Sequence, residues 1–514
     1  MKSRILICVL AALVLLVSAC GGTSNDTAGA REPSRPGGAT SGQGSGESGR
    51  SGQSGQSGQG NAAANDEPGA TAPPAPTGQA ESPDKISTFA LDVDTASYGY
   101  ARGTINAGRL PDPAQVRPEE WVNAFRQGYP EPPGDGFAVR LDGARGAAEG
   151  TALLRVGLQT RTADAAARRP ANLTFVVDVS GSMGDPGRLD LVRDALHALV
   201  DQLGPGDRVS IVSFSDQARV RISMTPASER HDLHAAIDTL ATEGSTDLQA
   251  GLVTGYEEAA RAFRPVATNR VILLSDGLAN TGDTTWQGIL DRVEEFAGRR
   301  VTLLCVGVGR EYGDTLMEQL ADHGDGAAVY VGSQQEAREV FVERLPANLD
   351  LRARDAKAQV AFNPATVESY RLLGYDNRAL AAEDFRDDTK DGGEVGPGHA
   401  VTALYAVRLR PGTSGQLAVA TVRWQDPDTR EPAETSRALE VGGLSDRLWE
   451  TAAPRLQVDA VVAAFAQRLR HAEDEMFTED LGTLADHAER LSAATEDPMV
   501  TELAGLIRRA GSLR

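Results

Sequence analysis

Histidine and cysteine are scarce in this chain of 514 residues, which contains seven histidines and three cysteines. The histidines form neither a His-Glu-x-x-His motif nor a His-x-His cluster, which argues against a catalytic zinc site. Cys8 and Cys20 lie in the first twenty residues, and Cys305 lies alone in an apolar run. We therefore expect no disulfide, and we expect Cys305 to be a core residue.

Basic residues are also in deficit, with 51 lysines and arginines against 72 aspartates and glutamates and a formal net charge of −21. Nonspecific binding to nucleic acid or to anionic lipid requires a basic surface, which a protein of this charge does not favour. We therefore predict that nucleic acid is not a partner.

The first twenty residues have the organisation of a secretion signal. Lys2 and Arg4 precede an apolar stretch at residues 5–17, which is too short to span a bilayer comfortably. The stretch leads into Val-Ser-Ala-Cys, which resembles the lipobox of bacterial lipoproteins. The resemblance implies removal of residues 1–19 and lipidation of Cys20, for example with palmitate. We therefore expect a lipid anchor in the cell membrane and a protein on its extracytoplasmic face.

Composition and hydropathy patterning divide the rest of the chain into five parts. Residues 20–86 are rich in Gly, Ser and Gln and can bury almost nothing, which predicts a disordered tether. Residues 87–165 combine two short helical patterns with strand patterns, and residues 170–345 repeat strand and helix. Residues 346–445 are β-rich, and residues 446–514 have helical periodicity.

The repeating strand–helix pattern of residues 170–345 predicts an α/β fold with a doubly wound, mostly parallel sheet. The second and third strands are too close in sequence for a crossover helix. We therefore expect them to form an antiparallel hairpin at one edge of the sheet. The predicted strands are residues 173–180, 209–214, 219–224, 270–277, 301–309 and 327–332.

The β-rich parts on either side of this α/β domain are predicted to pair with each other. After the domain, residues 356–375, 398–411 and 415–425 alternate as antiparallel strands do, and residues 379–397 read as a charged loop. The ends of a compact domain usually lie close together, so a domain can be inserted within another. We expect a β-sandwich-like segment that carries the α/β domain as an insertion and is followed by C-terminal helices.

Oxygen-bearing side chains follow three of the predicted elements. Asp178, Ser180 and Ser182 stand at alternate positions after the first strand of the α/β domain. Asp276 ends the fourth strand, and Thr246 precedes a helix. In open parallel sheets, ligands bind at the carboxyl ends of the strands, so these five oxygen groups can converge. The sequence therefore predicts a site for Mg²⁺, with Mn²⁺ or Ca²⁺ as alternatives, that leaves one coordination position open.

The motifs DVSGSM, GSTDL and SDG resemble, in this order, the metal-ion-dependent adhesion site of von Willebrand factor type A domains. The resemblance covers about residues 170–345, and the flanking blocks resemble those of a group of bacterial lipoproteins that carry this domain. It implies that the five oxygen-bearing residues hold a metal ion, Asp276 through a water molecule. It also implies a membrane-anchored binding protein whose protein partner supplies an Asp or Glu to the ion.

Other functions stay open at this point. Residues 92–96, DVDTA, match the start of haloacid-dehalogenase phosphatases, but the sequence around them lacks the matching domain. No GxSxG elbow occurs near Ser182, and no general base or nucleophile is expected beside the metal loops, so we predict that the protein is not an enzyme. A structural or accessory subunit of a cell-envelope complex is the main alternative. His197 and His234 lie in helical patterns, where packing or surface roles are expected.

Overall fold

The computed structural model describes residues 85–91, 95–162, 169–276, 287–289, 291, 301–309, 317, 320, 327–344, 351–388, 390, 392–427, 429–472 and 475–513. All of them belong to the second of two units of the chain, Ala72–Arg514. The predicted signal peptide, Cys20, Asp92 and almost all of the predicted tether lie outside the described residues.

The strands of the described chain follow one another in this order: β1 (Ile86–Ala90), β2 (Phe137–Arg145), β3 (Thr151–Thr160), β4 (Ala171–Asp178), β5 (Arg208–Phe214), β6 (Ala218–Pro226), β7 (Thr268–Ser275), β8 (Val301–Val308), β9 (Ala327–Val331), β10 (Ala353–Phe362), β11 (Val367–Leu372), β12 (Ala379–Leu380), β13 (Gly393–Val395), β14 (Ala400–Leu409), β15 (Gln416–Gln425) and β16 (Pro432–Glu440). The helices fall before, between and after these strands: α1 (Ala96–Asn106), α2 (Pro118–Ala124), α3 (Leu189–Gln202), α4 (Arg230–Asp238), α5 (Leu248–Arg261), α6 (Gln334–Arg338), α7 (Pro454–Leu469), α8 (Leu481–Thr495) and α9 (Pro498–Ser512).

The central domain is built on a sheet with the strand order β6-β5-β4-β7-β8-β9. Neighbouring strands are parallel except β5 and β6, which form an antiparallel hairpin at one edge. The strand order reverses at β4, because β5 lies on one side of it and β7 on the other. The predictions of a doubly wound sheet and of an antiparallel hairpin at its edge are therefore confirmed.

Helices cover both faces of this sheet, which explains why β4 is buried along its whole length. Phe175 and Val177 of β4 pack into a core with α3 and α4, whereas Val176 packs into a second core with α5. Alternate residues of one strand therefore serve two different cores. The loops that carry the predicted site residues Asp178 and Asp276 begin at the carboxyl edge of this sheet.

Two antiparallel sheets combine strands from before and after the central domain. One has the order β12-β1-β10-β15-β16, with β13 also paired to β10, and the other has the order β11-β14-β3-β2. β1 pairs with β10 and β3 pairs with β14, so each sheet joins chain segments on either side of the insertion. Phe89, Leu154, Val360 and Tyr405 lie in the shared core between the sheets. This arrangement confirms an α/β domain inserted in a β-sandwich-like segment.

The sandwich differs in detail from the sequence prediction. Residues 356–375 form two strands in different sheets, because the chain turns at Asn363, whose side chain accepts a hydrogen bond from the N–H of Ala365. The predicted loop at 379–397 contains the short strands β12 and β13. β16 was not predicted, because it is an edge strand whose polar side chains are mostly exposed.

The N-terminal and C-terminal helices form one cluster on the outer face of the sheet that contains β3 and β14. Tyr98 of α1, Trp121 of α2 and Phe465 of α7 lie in its core. α1 also lies against the β9 edge of the central sheet, where Arg102 forms an ion pair with Glu336. A covered edge is protected from pairing with strands of other molecules. The N-terminal block therefore contacts both the inserted domain and the C-terminal helices.

Candidate functional site

The first site loop begins where β4 ends. Asp178, the last residue of β4, is fully buried, and Ser180 is 2% exposed. Asp178 Oδ1 accepts a hydrogen bond from the backbone N–H of Ser180 at 2.8 Å. Ser180 Oγ lies 3.1 Å from Ser182 Oγ. The structure therefore brings the three predicted oxygen ligands of this loop into one hydrogen-bonded group.

Ser275 is not among the predicted site residues, yet it holds the second carboxylate oxygen of Asp178. Its hydroxyl donates to Asp178 Oδ2 at 2.6 Å, between the neighbouring parallel strands β7 and β4. With a donor on each oxygen, the Asp178 carboxylate has a fixed orientation. The serine stands directly before Asp276 in the Ser-Asp-Gly motif, which is the one sequence signal that could have pointed to it.

The second site loop connects α4 to α5 and carries Thr246. It is attached to the first loop by two backbone hydrogen bonds, from the N–H of Gly181 to the carbonyl of Gly244 and from the N–H of Glu243 to the carbonyl of Val179. Thr246 is 1% exposed. Asp247 caps α5 by accepting a hydrogen bond from the N–H of Ala250. The backbone bonds therefore hold residues 243 and 244, which closely precede Thr246, against the Asp178 loop.

The third site loop follows β7 and carries Asp276, whose side chain is 4% exposed. Asp276 Oδ2 accepts a hydrogen bond from the Arg188 guanidinium at 2.7 Å, and the same nitrogen of Arg188 donates to the carbonyl of Ser182 at 3.0 Å. Arg188 is not among the predicted site residues. It stands just before α3 and joins the first and third loops through an ion pair.

Burial is the main influence on Asp178 and raises its pKa to about 6. The hydrogen bonds from Ser275 and Ser180 act in the opposite direction, and the neighbouring Asp276 carboxylate raises the pKa further. The Asp178 carboxylate is therefore ionised at neutral pH but pays a desolvation cost. A divalent cation beside it would relieve that cost.

The donor set fits a hard divalent cation that is held through few protein charges. It consists entirely of oxygen, from three hydroxyl groups and two carboxylates. Asp276 Oδ1 is buried and has no hydrogen-bond partner in the described part of the chain, so this acceptor is available to a cation or to its water. Among the described residues there is no group of three or more His, Cys, Asp or Glu that could hold a metal. Hydroxyl groups would therefore have to complete the coordination.

His197 and His234 contact each other on the surface of the central domain. Their Nδ1 atoms lie 2.6 Å apart, and their Nε2 atoms lie 3.2 Å from Asp238 and Asp201, respectively. The rings therefore join α3 to α4. The two histidines therefore contribute to the packing of α3 against α4.

No helix within the described ranges is long and apolar enough to cross a membrane. Cys305 is buried in β8, which confirms the prediction that it is a core residue. The predicted lipidation site at Cys20 lies outside the described residues.

Three family models match consecutive parts of the chain. The model described as von Willebrand factor type A domain matches residues 172–343. A model described as von Willebrand factor matches residues 75–154, and one described as "Uncharacterized protein YfbK, C-terminal" matches residues 347–415. The matched ranges include the central domain with its three site loops and parts of both flanking segments.

The chain is also similar to individual proteins and to a solved structure that carry the same domain or are related to it in sequence. YfbK of Escherichia coli (strain K12) is 33% identical over 419 residues, which cover 76% of this chain and 72% of YfbK. The protein sll0103 of Synechocystis sp. is 30% identical over 189 residues, which cover 37% of this chain and 44%, less than half, of that relative. The solved structure of a von Willebrand factor type A protein from Catenulispora acidiphila is 17% identical, covers 73% of this chain and 91% of its own, and superimposes with a TM-score of 0.44. From the identity and coverage shared with YfbK, the chain belongs to the family of von Willebrand factor type A domain proteins that includes YfbK.

Proposed function

We propose that this protein is a membrane-anchored binding protein that holds a divalent cation and, through it, an acidic residue of a protein partner. Asp178, Ser180, Ser182 and Thr246 would bind the ion, and Asp276 would act through a water molecule. The observation that carries the proposal is the buried Asp178 carboxylate, which is oriented by two donors and adjoins a pair of hydroxyl groups. When bound, Mg²⁺ supplies the positive charge that attracts a partner's carboxylate.

The hydrogen bonding of the site supports binding rather than catalysis. Ser180 and Ser182 bond to each other, and among the described residues neither hydroxyl bonds to a histidine that could serve as a general base. Asp178 is already engaged by Ser275 and by the N–H of Ser180. We therefore propose that the protein is not an enzyme.

A structural or accessory subunit of a cell-envelope complex is the second candidate. One observation favours it: the guanidinium of Arg188 forms an ion pair with one oxygen of Asp276, so a protein group neutralises this carboxylate. In either case we propose that Cys20 carries the lipid anchor and that the folded part lies on the extracytoplasmic face of the cell membrane. A tether of about 65 residues has a typical reach of about 40–50 Å, so the site could stand well away from the lipid surface.

Asp178→Asn is expected to weaken Mg²⁺ binding at least about 100-fold, because it replaces a charged ligand, and loss of an outer partner alone typically costs about 10–100-fold. The variant should keep its fold, because burial already disfavours the Asp178 carboxylate and asparagine has nearly the same shape. Isothermal titration of the purified protein with Mg²⁺ measures the difference.

The matched control for this titration is Asp232→Asn, which makes the same chemical change at an exposed residue of α4. It should bind Mg²⁺ as the unchanged protein does. Equal Mg²⁺ affinity in Asp178→Asn and in the unchanged protein would refute the metal assignment. Repeating the titration with Mn²⁺ and Ca²⁺ ranks the three candidate ions.

A protein partner is expected to cross-link to the membrane-bound protein only when metal is present. Chemical cross-linking on membranes with and without a chelator, followed by mass spectrometry, identifies proteins whose capture depends on metal. The partner should be lost both with chelator and in Asp178→Asn, but not in Asp232→Asn. The four samples are the unchanged protein with chelator, the unchanged protein without chelator, Asp178→Asn and Asp232→Asn. The same set of cross-linked proteins in all four would contradict metal-dependent binding.

A further inference from the structure

Arg188 is placed at the centre of the candidate site, although it is not an oxygen ligand. Its side chain is 15% exposed, and one guanidinium nitrogen contacts both Asp276 Oδ2 at 2.7 Å and the carbonyl of Ser182 at 3.0 Å. The other terminal nitrogen lies 3.5 Å from the largely exposed Asp185. The guanidinium therefore connects the first and third site loops and neutralises the Asp276 carboxylate.

The backbone after β8 leaves room for this guanidinium. Gly309 has a φ of +112°, a conformation that residues with side chains rarely adopt. A Cβ atom at this position would lie 3.1 Å from Arg188 Nε. Three separate parts of the domain, the Ser182 loop, Asp276 and Gly309, thus form the place that Arg188 occupies.

The largely buried charges of the site, among the residues that the structure describes, are those of Asp178, Asp276 and Arg188. They sum to one negative charge, which cannot neutralise a divalent cation. Two further carboxylates lie on the second loop. Glu243 pairs with Arg219 and Arg221, and Asp247 accepts a hydrogen bond from the N–H of Ala250 at the N-terminus of α5. An ion in this site would therefore retain positive charge.

We infer that Arg188 keeps the site deficient in negative charge, so that the ion is held firmly only when a second molecule contributes a carboxylate. This inference rests on the proposed function. Arg188 is in this sense a positioning residue, because it acts through Asp276. It donates to Asp276 Oδ2, whereas Asp276 Oδ1 has no hydrogen-bond partner among the described residues. The charge deficit makes ion binding and partner binding mutually dependent.

The two possible roles of Arg188 predict opposite changes in Mg²⁺ affinity when the arginine is removed. If Arg188 only supported the loops, Arg188→Gln would leave Mg²⁺ affinity unchanged or lower it. If Arg188 sets the charge, removing it gives the site two negative charges, and Mg²⁺ affinity should rise by about tenfold, equivalent to about 1.4 kcal/mol. Glutamine can still donate a hydrogen bond to the carbonyl of Ser182.

The experiment is isothermal titration of the purified protein with Mg²⁺ alone, and then with acetate present as a probe carboxylate. We compare Arg188→Gln, Asp276→Asn and the double variant, whose site charges are −2, 0 and −1. The expected order of affinity is Arg188→Gln first, then the unchanged protein and the double variant together, and Asp276→Asn last. Acetate should raise the Mg²⁺ affinity of the unchanged protein more than that of Arg188→Gln.

Two controls separate charge from structure. Arg188→Lys keeps the charge and should bind Mg²⁺ nearly as the unchanged protein does. Arg193→Gln removes a half-exposed arginine of α3 that lies 3.6 Å from Asp238 and should have no effect. Should Arg188→Gln unfold because Asp276 loses its counter-charge, the double variant lacks both charges and should fold. Its Mg²⁺ affinity is then compared with that of Asp276→Asn: higher affinity supports the charge mechanism, and equal or lower affinity overturns it.

The outcomes distinguish this inference from the proposed function. If the unchanged protein binds Mg²⁺ no better than Asp178→Asn, both fail. If Asp178→Asn loses binding but folded Arg188→Gln binds Mg²⁺ no tighter than the unchanged protein, only the role of Arg188 is overturned.

Discussion

Replacement of Arg155 by methionine is expected to lower the free energy of unfolding by about 3–5 kcal/mol, because it leaves carboxylates buried without their counter-charge. Arg155 lies on β3, and its side chain is 3% exposed. It donates two hydrogen bonds to Asp142 of β2, at 2.8 and 2.7 Å, and one to Asp459 of α7 at 2.8 Å. The Asp459 side chain is 1% exposed. This ion network connects the sandwich to the C-terminal helices.

The loss of stability should depend on pH. Burial raises the pKa of Asp459, and Arg155 opposes that rise, so without Arg155 the pKa of Asp459 rises further. A raised pKa in the folded state destabilises it as pH increases past the unfolded value of about 4. Burial alone would raise the pKa of Asp142, but Arg155 holds that pKa below its usual value. The stability that Asp142 gains from Arg155 is therefore present at neutral pH and is lost only in acid. The difference between Arg155→Met and the unchanged protein should therefore be larger at pH 7 than at pH 4.

Urea unfolding followed by circular dichroism at both pH values measures this effect. Arg140→Met is the matched control, because Arg140 bonds to the same Asp142 at 2.9 Å but its side chain is 47% exposed. An exposed ion pair contributes about 0–1 kcal/mol, so this variant should remain near the unchanged protein. If Arg155→Met also stays within about 1 kcal/mol, the network does not stabilise the fold in the way described.

Trp121→Ala is expected to cost about 3–5 kcal/mol, because it removes the largest fully buried side chain of the helical cluster. The Trp121 ring meets Tyr98 of α1 at 5.5 Å and Phe465 of α7 at 5.4 Å, both edge to face. Its Nε1 donates to Ser97 Oγ at 3.0 Å. One side chain thus joins two N-terminal helices to a C-terminal one.

The measurement for Trp121→Ala combines urea unfolding with hydrogen exchange of α7. Because Phe465 loses its partner ring, exchange in α7 should become faster although α7 begins more than 300 residues after Trp121. Trp121→Phe keeps an aromatic ring but not the hydrogen bond. Its free energy of unfolding should lie between those of the unchanged protein and Trp121→Ala. Unchanged exchange in α7 would show that the terminal segments fold independently.

Local sequence patterns were sufficient for the architecture of the central sheet, but not for the order of its strands. Strand–helix alternation predicts a doubly wound sheet, and the short connection before β6 predicts its antiparallel edge. β16 could not be found in this way, because most of its residues are polar and exposed, and Ala433 and Leu439 on its inner face are too few for a period-2 hydrophobic signal. Residues 356–375 read as one strand because hydropathy does not show which sheet each half joins.

The sequence by itself determined the candidate oxygen ligands after β4, because three polar residues at alternate positions follow a buried strand. It also determined that the site has few negative charges. Only the tertiary structure decided that Ser275 orients Asp178 and that Arg188 pairs with Asp276, contacts that join residues 97 and 88 positions apart. Such contacts depend on which strands become neighbours, and that is set by the packing of the whole sheet rather than by any local pattern.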